Sequence, residues 1–196
     1  LFQAMQGDAG IGLIVPFSTV KSYDARFYKS THTGTWKYSK SYMSKFDYPM
    51  GVRGMTSYTS DTNATFKMTF SQNVSSANNE LVVFRHDNDS VFEMEFFIDD
   101  QPAKVKYSDD EKVIYDIIGG FSVLSYKSRK TQSHQKDITI TGLILQDSLH
   151  RGGVWHNAGV GAAPYRMVFS EELYEPQAKY INADVVIIDL GTNDFI

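Results

Sequence analysis

Between residues 18 and about 145 the chain repeats one pattern. Short runs rich in β-branched and aromatic residues are cut by clusters of Asp, Asn, Ser and Gly, and no stretch shows helical periodicity. The pattern predicts strands at 25–30, 35–41, 52–59, 65–70, 81–86, 91–98, 103–107, 112–117, 122–128 and 137–145. Several alternate with period two. Phe66, Met68 and Phe70 share one face of their run, and Lys104 and Lys106 share one face of theirs. Ser60-Asp61-Thr62-Asn63, Asp99-Asp100-Gln101-Pro102, Ser108-Asp109-Asp110 and Gly119-Gly120 supply turns between them. Strands at this spacing constrain the chain to a β-sandwich, of which a jelly roll fits best, with a core buried without help from the C-terminal segment. The aromatic share, 14% with 13 Phe and 12 Tyr, agrees with a strand-rich fold.

Composition narrows the function classes. A net charge of -4 and a sequence pI near 5.7 imply no basic face, so nucleic acid is not the expected partner. No apolar run approaches the roughly 18 to 20 residues that cross a bilayer, so no membrane span is expected. No Cys occurs, so no disulfide staples the fold. The five histidines, His32, His86, His134, His150 and His156, form no H-x-x-x-H or carboxylate-bracketed pair, and no metal or other cofactor is expected. The acidic turns at Asp87/Asp89 and Asp99/Asp100 have the ligand type for Ca²⁺, but solvated hairpin turns explain them better.

After residue 145 the pattern changes. Gly152-Gly153 marks a boundary, residues 154–158 read as a short strand into a glycine-rich turn, and Pro164 suits the first turn of a helix. That helix would reach about residue 180, with Pro176 expected to break or kink it. A β-branched run, Val185-Val186-Ile187-Ile188, then stops at Gly191-Thr192-Asn193-Asp194, as a buried parallel strand ends. Strand, glycine turn, helix and strand make a βαβ unit, whose two turns fall at one sheet edge, where α/β folds place their ligands. The run at 185–190 should therefore pair in parallel with 154–158.

Asn157-Ala158-Gly159-Val160-Gly161-Ala162 and Gly191-Thr192-Asn193-Asp194 resemble the second and third motifs of the SGNH (GDSL-like) hydrolases, serine esterases with a flavodoxin-like fold. The glycine-bracketed run 9–17 is similar to a segment leading into an inserted β-domain in a bacterial subgroup laid out like peptidoglycan O-acetylesterases. The resemblance implies a mainly β chain: a jelly-roll-like sandwich followed by a partial flavodoxin-like α/β segment. Residues 1–17 would end a first SGNH segment and lead in, 18–150 would form the sandwich, and 151–196 would carry the two motifs. It further implies an oxyanion hole built from the Asn193 side chain and the backbone N–H of Ala162, with Gly159 and Gly191 giving the turns. The family pattern has Gly where Ala162 stands, and a backbone N–H survives that change.

The family's nucleophile motif, Gly-Asp-Ser, does not occur in the 196 residues. Its nearest likeness is Gln146-Asp147-Ser148-Leu149-His150, but only eight residues separate Ser148 from Asn157. A crossover that brings two turns to one sheet edge takes roughly a dozen or more, so Ser148 reads as a turn residue. The family's Asp-x-x-His motif follows the third motif, and the only Asp-x-x-His here, Asp147 to His150, precedes it. The resemblance thus implies an internal piece of an esterase, inactive alone, whose partners are the remaining SGNH segments and an acylated glycan or other small ester, in a periplasmic or extracellular setting. A second reading is a carbohydrate-binding sandwich whose exposed aromatics stack on sugar. Trp36 and Tyr38, two residues apart on one strand face, are its candidates, with Tyr42 further out, although a sandwich Trp is also a common core centrepiece.

Overall fold

The structure, a computed structural model, describes residues 10–16, 27–40, 48–75, 79–86, 90–149, 151–158 and 173–188. Its strands are β1 (Gly12–Ile14), β2 (Tyr28–Thr33), β3 (Lys37–Lys40), β4 (Met55–Thr59), β5 (Thr65–Val74), β6 (Glu80–His86), β7 (Glu93–Ile98), β8 (Gln101–Pro102), β9 (Lys104–Ser108), β10 (Lys112–Asp116), β11 (Phe121–Arg129) and β12 (Ile138–Gln146). Among the described residues one helix, α1 (Tyr174–Ile181), follows. All ten expected strands are present within a few residues of their expected bounds. The two additions, β1 and β8, are short. β1 lies in the stretch expected to be a lead-in, and β8 closes a two-residue hairpin on β7.

The strands form two antiparallel sheets. One runs β3-β4-β12-β6-β10-β9, with β1 also paired to β12, and the other runs β2-β5-β11-β7-β8. Within them β4-β12-β6-β10 and β5-β11-β7-β8 have the strand order of an eight-stranded jelly roll. β12 outruns its neighbour β4, which pairs only with Ile138, Thr139 and Ile140. β1 serves the rest of that edge, setting Gly12, Leu13 and Ile14 opposite Leu145, Ile144 and Leu143.

Alternation decides what lies between the sheets. Phe66, Met68 and Phe70 are buried while Lys67 and Thr69 are exposed, as the period-two pattern requires. Phe66 stacks on Tyr126 at 4.9 Å between ring centroids, and Phe96 meets Phe66 edge-on at 5.9 Å and Tyr126 at 5.3 Å. Each buried ring contributes on the order of 2–3 kcal/mol by leaving water. Buried tyrosines need partners for their hydroxyls. Tyr115 donates to the Met94 carbonyl at 3.1 Å, Tyr28 donates to the Val15 carbonyl at 2.6 Å, and Tyr126 shares a 2.9 Å bond with Ser128. The expected acidic turn at Asp99-Asp100 is a two-residue hairpin with both residues at positive φ, 45° and 65°, the twist that a tight hairpin demands. The Asp99 carboxylate accepts the N–H groups of Ser122 and Val123, at 3.1 and 2.8 Å. Asp87 and Asp89 lie outside the described residues.

The large sheet is buried on its outer face too. All nine residues of β12 are buried, and Leu13, Val52, Val82, Phe84 and Ile144 form a second cluster against which Tyr174, Ala178, Tyr180 and Ile181 of α1 pack. Among the described residues, those of the inter-sheet core all lie at or before β12. The outer face, by contrast, is completed by the C-terminal segment. In α1 the one fully buried residue is Gln177. Its side-chain oxygen accepts the Val52 N–H at 3.1 Å, and its amide nitrogen donates to the Thr141 hydroxyl at 2.7 Å. Gly51 lies against this carboxamide so closely that a Cβ there would overlap it.

One expectation about the C-terminal segment needs correction, the pairing of its two runs. Pro176 falls in the first turn of α1, where an N–H has no intrahelical acceptor. The upstream part of the expected helix lies outside the described residues. The helix ends at Asn182, in the left-handed conformation (φ 45°), whose N–H bonds the Ala178 carbonyl at 3.0 Å. Residues 154–158 and 185–188 form no ladder with each other, and Val185, Val186, Ile187 and Ile188 are 60 to 78% exposed. A parallel strand is held by neighbours on both edges and cover on both faces, and the described residues supply neither here.

Candidate functional site

Gly159, Ala162, Gly191 and Asn193, the expected oxyanion-hole and turn residues, lie outside the described residues, as do His150 and Asp194. Upstream of them, the backbone at Trp155 crosses β1 where only a glycine permits it. Gly12 has φ 81°, and a Cβ on it would sit 2.6 Å from the Trp155 carbonyl oxygen. Trp155 itself is 67% exposed, and Asn157 is exposed. His156 is half-buried, and its burial pushes the imidazole pKa down, favouring the neutral ring near neutral pH.

Ser148 is held in a turn. Its N–H bonds the Asn79 side-chain oxygen at 3.0 Å. Its neighbour Asp147 accepts the Leu149 N–H at 3.1 Å, the Arg151 N–H at 3.3 Å and the Arg151 Nε at 2.7 Å. The Arg151 guanidinium holds that carboxyl well below the usual carboxylate range. Among the described residues no imidazole hydrogen-bonds Ser148. The geometry agrees with a turn at the exit from β12.

Trp36 packs against the core, whereas Tyr38 is exposed. Tyr38 is opposite Ser57, and Ser57 is opposite the core residue Ile140. Trp36, just before β3, lies on the rim of the core, edge-on to Phe66 and Tyr126 at 5.9 Å each. Its ring N–H is shared between the Thr33 and Thr65 carbonyls at 3.1 and 3.2 Å. Tyr38, 39% exposed at the sheet margin, carries more open aromatic surface. Tyr42 lies outside the described residues.

The structure also assembles a cleft that the sequence did not suggest. It is shallow, about 620 Å³, and lies between α1 and the start of β10, lined by Glu111, Lys112, Glu175, Pro176, Lys179 and Tyr180. The Lys112 ammonium lies 5.3 Å from the ring centroids of both Tyr107 and Tyr180 and 2.6 Å from the Asp109 carboxylate. Burial raises the Asp109 pKa, but bonds from the Lys112 side chain, the Lys112 and Glu111 N–H groups and the Tyr107 hydroxyl outweigh it and bring the carboxyl to about 2. The Tyr180 ring meets Phe84 edge-on at 5.5 Å, and burial pushes its hydroxyl up to about 12, so it stays protonated through the physiological range. Glu175 and Lys179 pair at 2.6 Å on the exposed face of α1, one turn apart. No single stretch signals this site, because its residues come from positions 111–112 and 175–180, brought together only when α1 docks. Among the described residues no three His, Asp or Glu side chains converge as metal ligands would.

No family model matches the chain, and no curated protein does. A solved structure described as "Peptidoglycan O-acetylesterase in action, 5 min" is similar in fold, with a TM-score of 0.50 and 15% sequence identity. The match covers 78% of this chain, a share that necessarily takes in most of the sandwich, and this chain spans 38% of that one. The chain therefore shares a fold with part of an esterase. None of the described helices is long and apolar enough to cross a membrane.

Proposed function

We propose that these residues are part of an SGNH-type serine esterase that removes acyl groups, acetyl in the first place, from a glycan. The sandwich is its jelly-roll domain, and residues 151–196 carry part of its flavodoxin-like domain. The observation that carries the reading is the fold likeness to a peptidoglycan O-acetylesterase over 78% of the chain. That likeness coincides with two motifs, 157–162 and 191–194, in the order such an enzyme needs.

In this reading Asn193 donates from its side chain, and Ala162 from its backbone N–H, to the oxyanion that forms when a serine oxygen attacks the ester carbonyl. Gly159 and Gly191 let the two turns approach that oxygen. The nucleophile and the base that takes its proton come from SGNH segments other than these residues, so the isolated 196-residue chain has no turnover. A glycan bearing esters places the enzyme in the bacterial periplasm or outside the cell.

The test is acetate release from an O-acetylated glycan by the whole parent protein. Asn193→Ala should lower turnover by roughly a hundredfold or more with little change in stability. Wild-type turnover in that variant refutes the assignment.

A further inference from the structure

The cleft between α1 and the start of β10 is a shallow groove, open to solvent along its rim. Its floor is fixed: the Lys112 side chain, only 16% exposed, is tied to Asp109 and held between two tyrosine rings. Pro176 and the Tyr180 ring add apolar surface, and the Tyr180 hydroxyl remains a neutral donor and acceptor. Around the rim stand two carboxylates, Glu111 and Glu175, and the Lys179 ammonium.

This lining selects a ligand class by exclusion. Lys112 is matched by Asp109 and Lys179 by Glu175, which leaves Glu111 as the one uncompensated charge of the lining, too little to hold an anion or to select a cation. Pro176 and Tyr180 are too little apolar surface to hold a lipid or a hydrophobic peptide against so many ionised groups. What fits carboxylates that only accept, ammoniums that only donate and a partly exposed ring is a neutral molecule dense in hydroxyls and amides, with one C–H-rich face. A volume near 620 Å³ accommodates one or two pyranose rings.

We propose that this cleft binds neutral sugar units of a glycan strand, as a site separate from the Trp36–Tyr38 pair. Glu111 and Glu175 accept sugar hydroxyls, Lys179 donates to ring or acetamido oxygens, and Tyr180 and Pro176 carry the pyranose face. The choice of an N-acetylated glycan rests on the esterase reading, whereas the neutral-saccharide chemistry rests on the cleft alone.

The experiment is titration of the 196-residue chain with fully N-acetylated chitohexaose, followed by calorimetry and by amide shifts in nuclear magnetic resonance. Saturable binding is expected, with shifts centred on residues 107–112 and 175–181. Glu111→Gln combined with Lys179→Ala, both on the exposed rim, should weaken it by about tenfold, while Trp36→Ala should leave it unchanged. Three results overturn the proposal: no binding at millimolar sugar, binding that the rim variants do not weaken, or shifts centred on Trp36 and Tyr38. A parent enzyme whose turnover ignores Asn193→Ala would remove the esterase reading and leave this binding result standing.

Discussion

Against the inner face of the seven-stranded sheet lies a second sheet, its rings interlocked with those of the first; against the outer face lies one eight-residue helix positioned by one buried carboxamide. The inner face is redundant at its centre, where Phe66, Phe96 and Tyr126 each touch three other rings. The outer face depends on Gln177, which satisfies two groups on separate elements, and on Gly51, whose missing side chain leaves room for it. The difference teaches that α1, with the cleft it creates, rests on four partly buried apolar side chains and one carboxamide latch, where the inner face rests on interlocked rings.

The largest expected effect falls on the inner side. Phe66→Ala removes a ring that contacts Tyr126, Phe96 and Trp36, and should cost about 3–5 kcal/mol in denaturant unfolding. A loss confined to α1, with the sheets untouched, would break the comparison. Next comes the outer latch. Gly51→Ala should cost ~1–3 kcal/mol by overpacking, and Gln177→Ala ~1–3 kcal/mol by leaving the Val52 N–H and the Thr141 hydroxyl without this partner. Hydrogen exchange should quicken in α1 before it does in β5 or β11. The double variant should recover part of the summed loss, because the carboxamide that the added methyl group would strike is gone.

The smallest effect concerns the cleft floor and acid. The Asp109 carboxyl is held at about 2 in the folded chain against an ordinary value of 3.8. A carboxyl depressed on folding adds stability above its unfolded value, and that stability is lost as pH falls toward the folded one. Acid titration should therefore loosen the β9–β10 hairpin between these two values, and Asp109→Asn should flatten that dependence. An unchanged acid profile would show that the carboxylate does not pin Lys112 in solution.

Legibility in the sequence followed the same divide. Where one face of a strand is buried and the other wet, as in β5 and β11, alternation wrote the strand into the sequence. β1 was hidden because all three of its residues are buried and one is a glycine, so nothing alternates. The role of β12 in two cores left no mark in alternation, because all nine of its residues are buried, Thr139 and Thr141 among them. The run at 185–188 misled in the opposite sense: residue preference describes what a strand is made of, and pairing requires neighbours. Gln177 looked like any helix-surface glutamine, since its burial depends on a glycine 126 positions away. The cleft shared that blindness, each half being an ordinary charged stretch until α1 brings the halves together.

The position of β12 also governs how the chain must be made. It is the last of the described strands in sequence, yet it sits between β4 and β6 in the middle of its sheet. Until residue 146 has left the ribosome, β4 and β6 have no bridge between them, and each presents an open edge to other chains. Such long-range pairing is slow to nucleate and exposes nascent strands to misassociation. Shortening the chain from its C-terminal side past Ile138 would therefore yield two unjoined half-sheets in place of a smaller sandwich, and expression should fail abruptly at that strand.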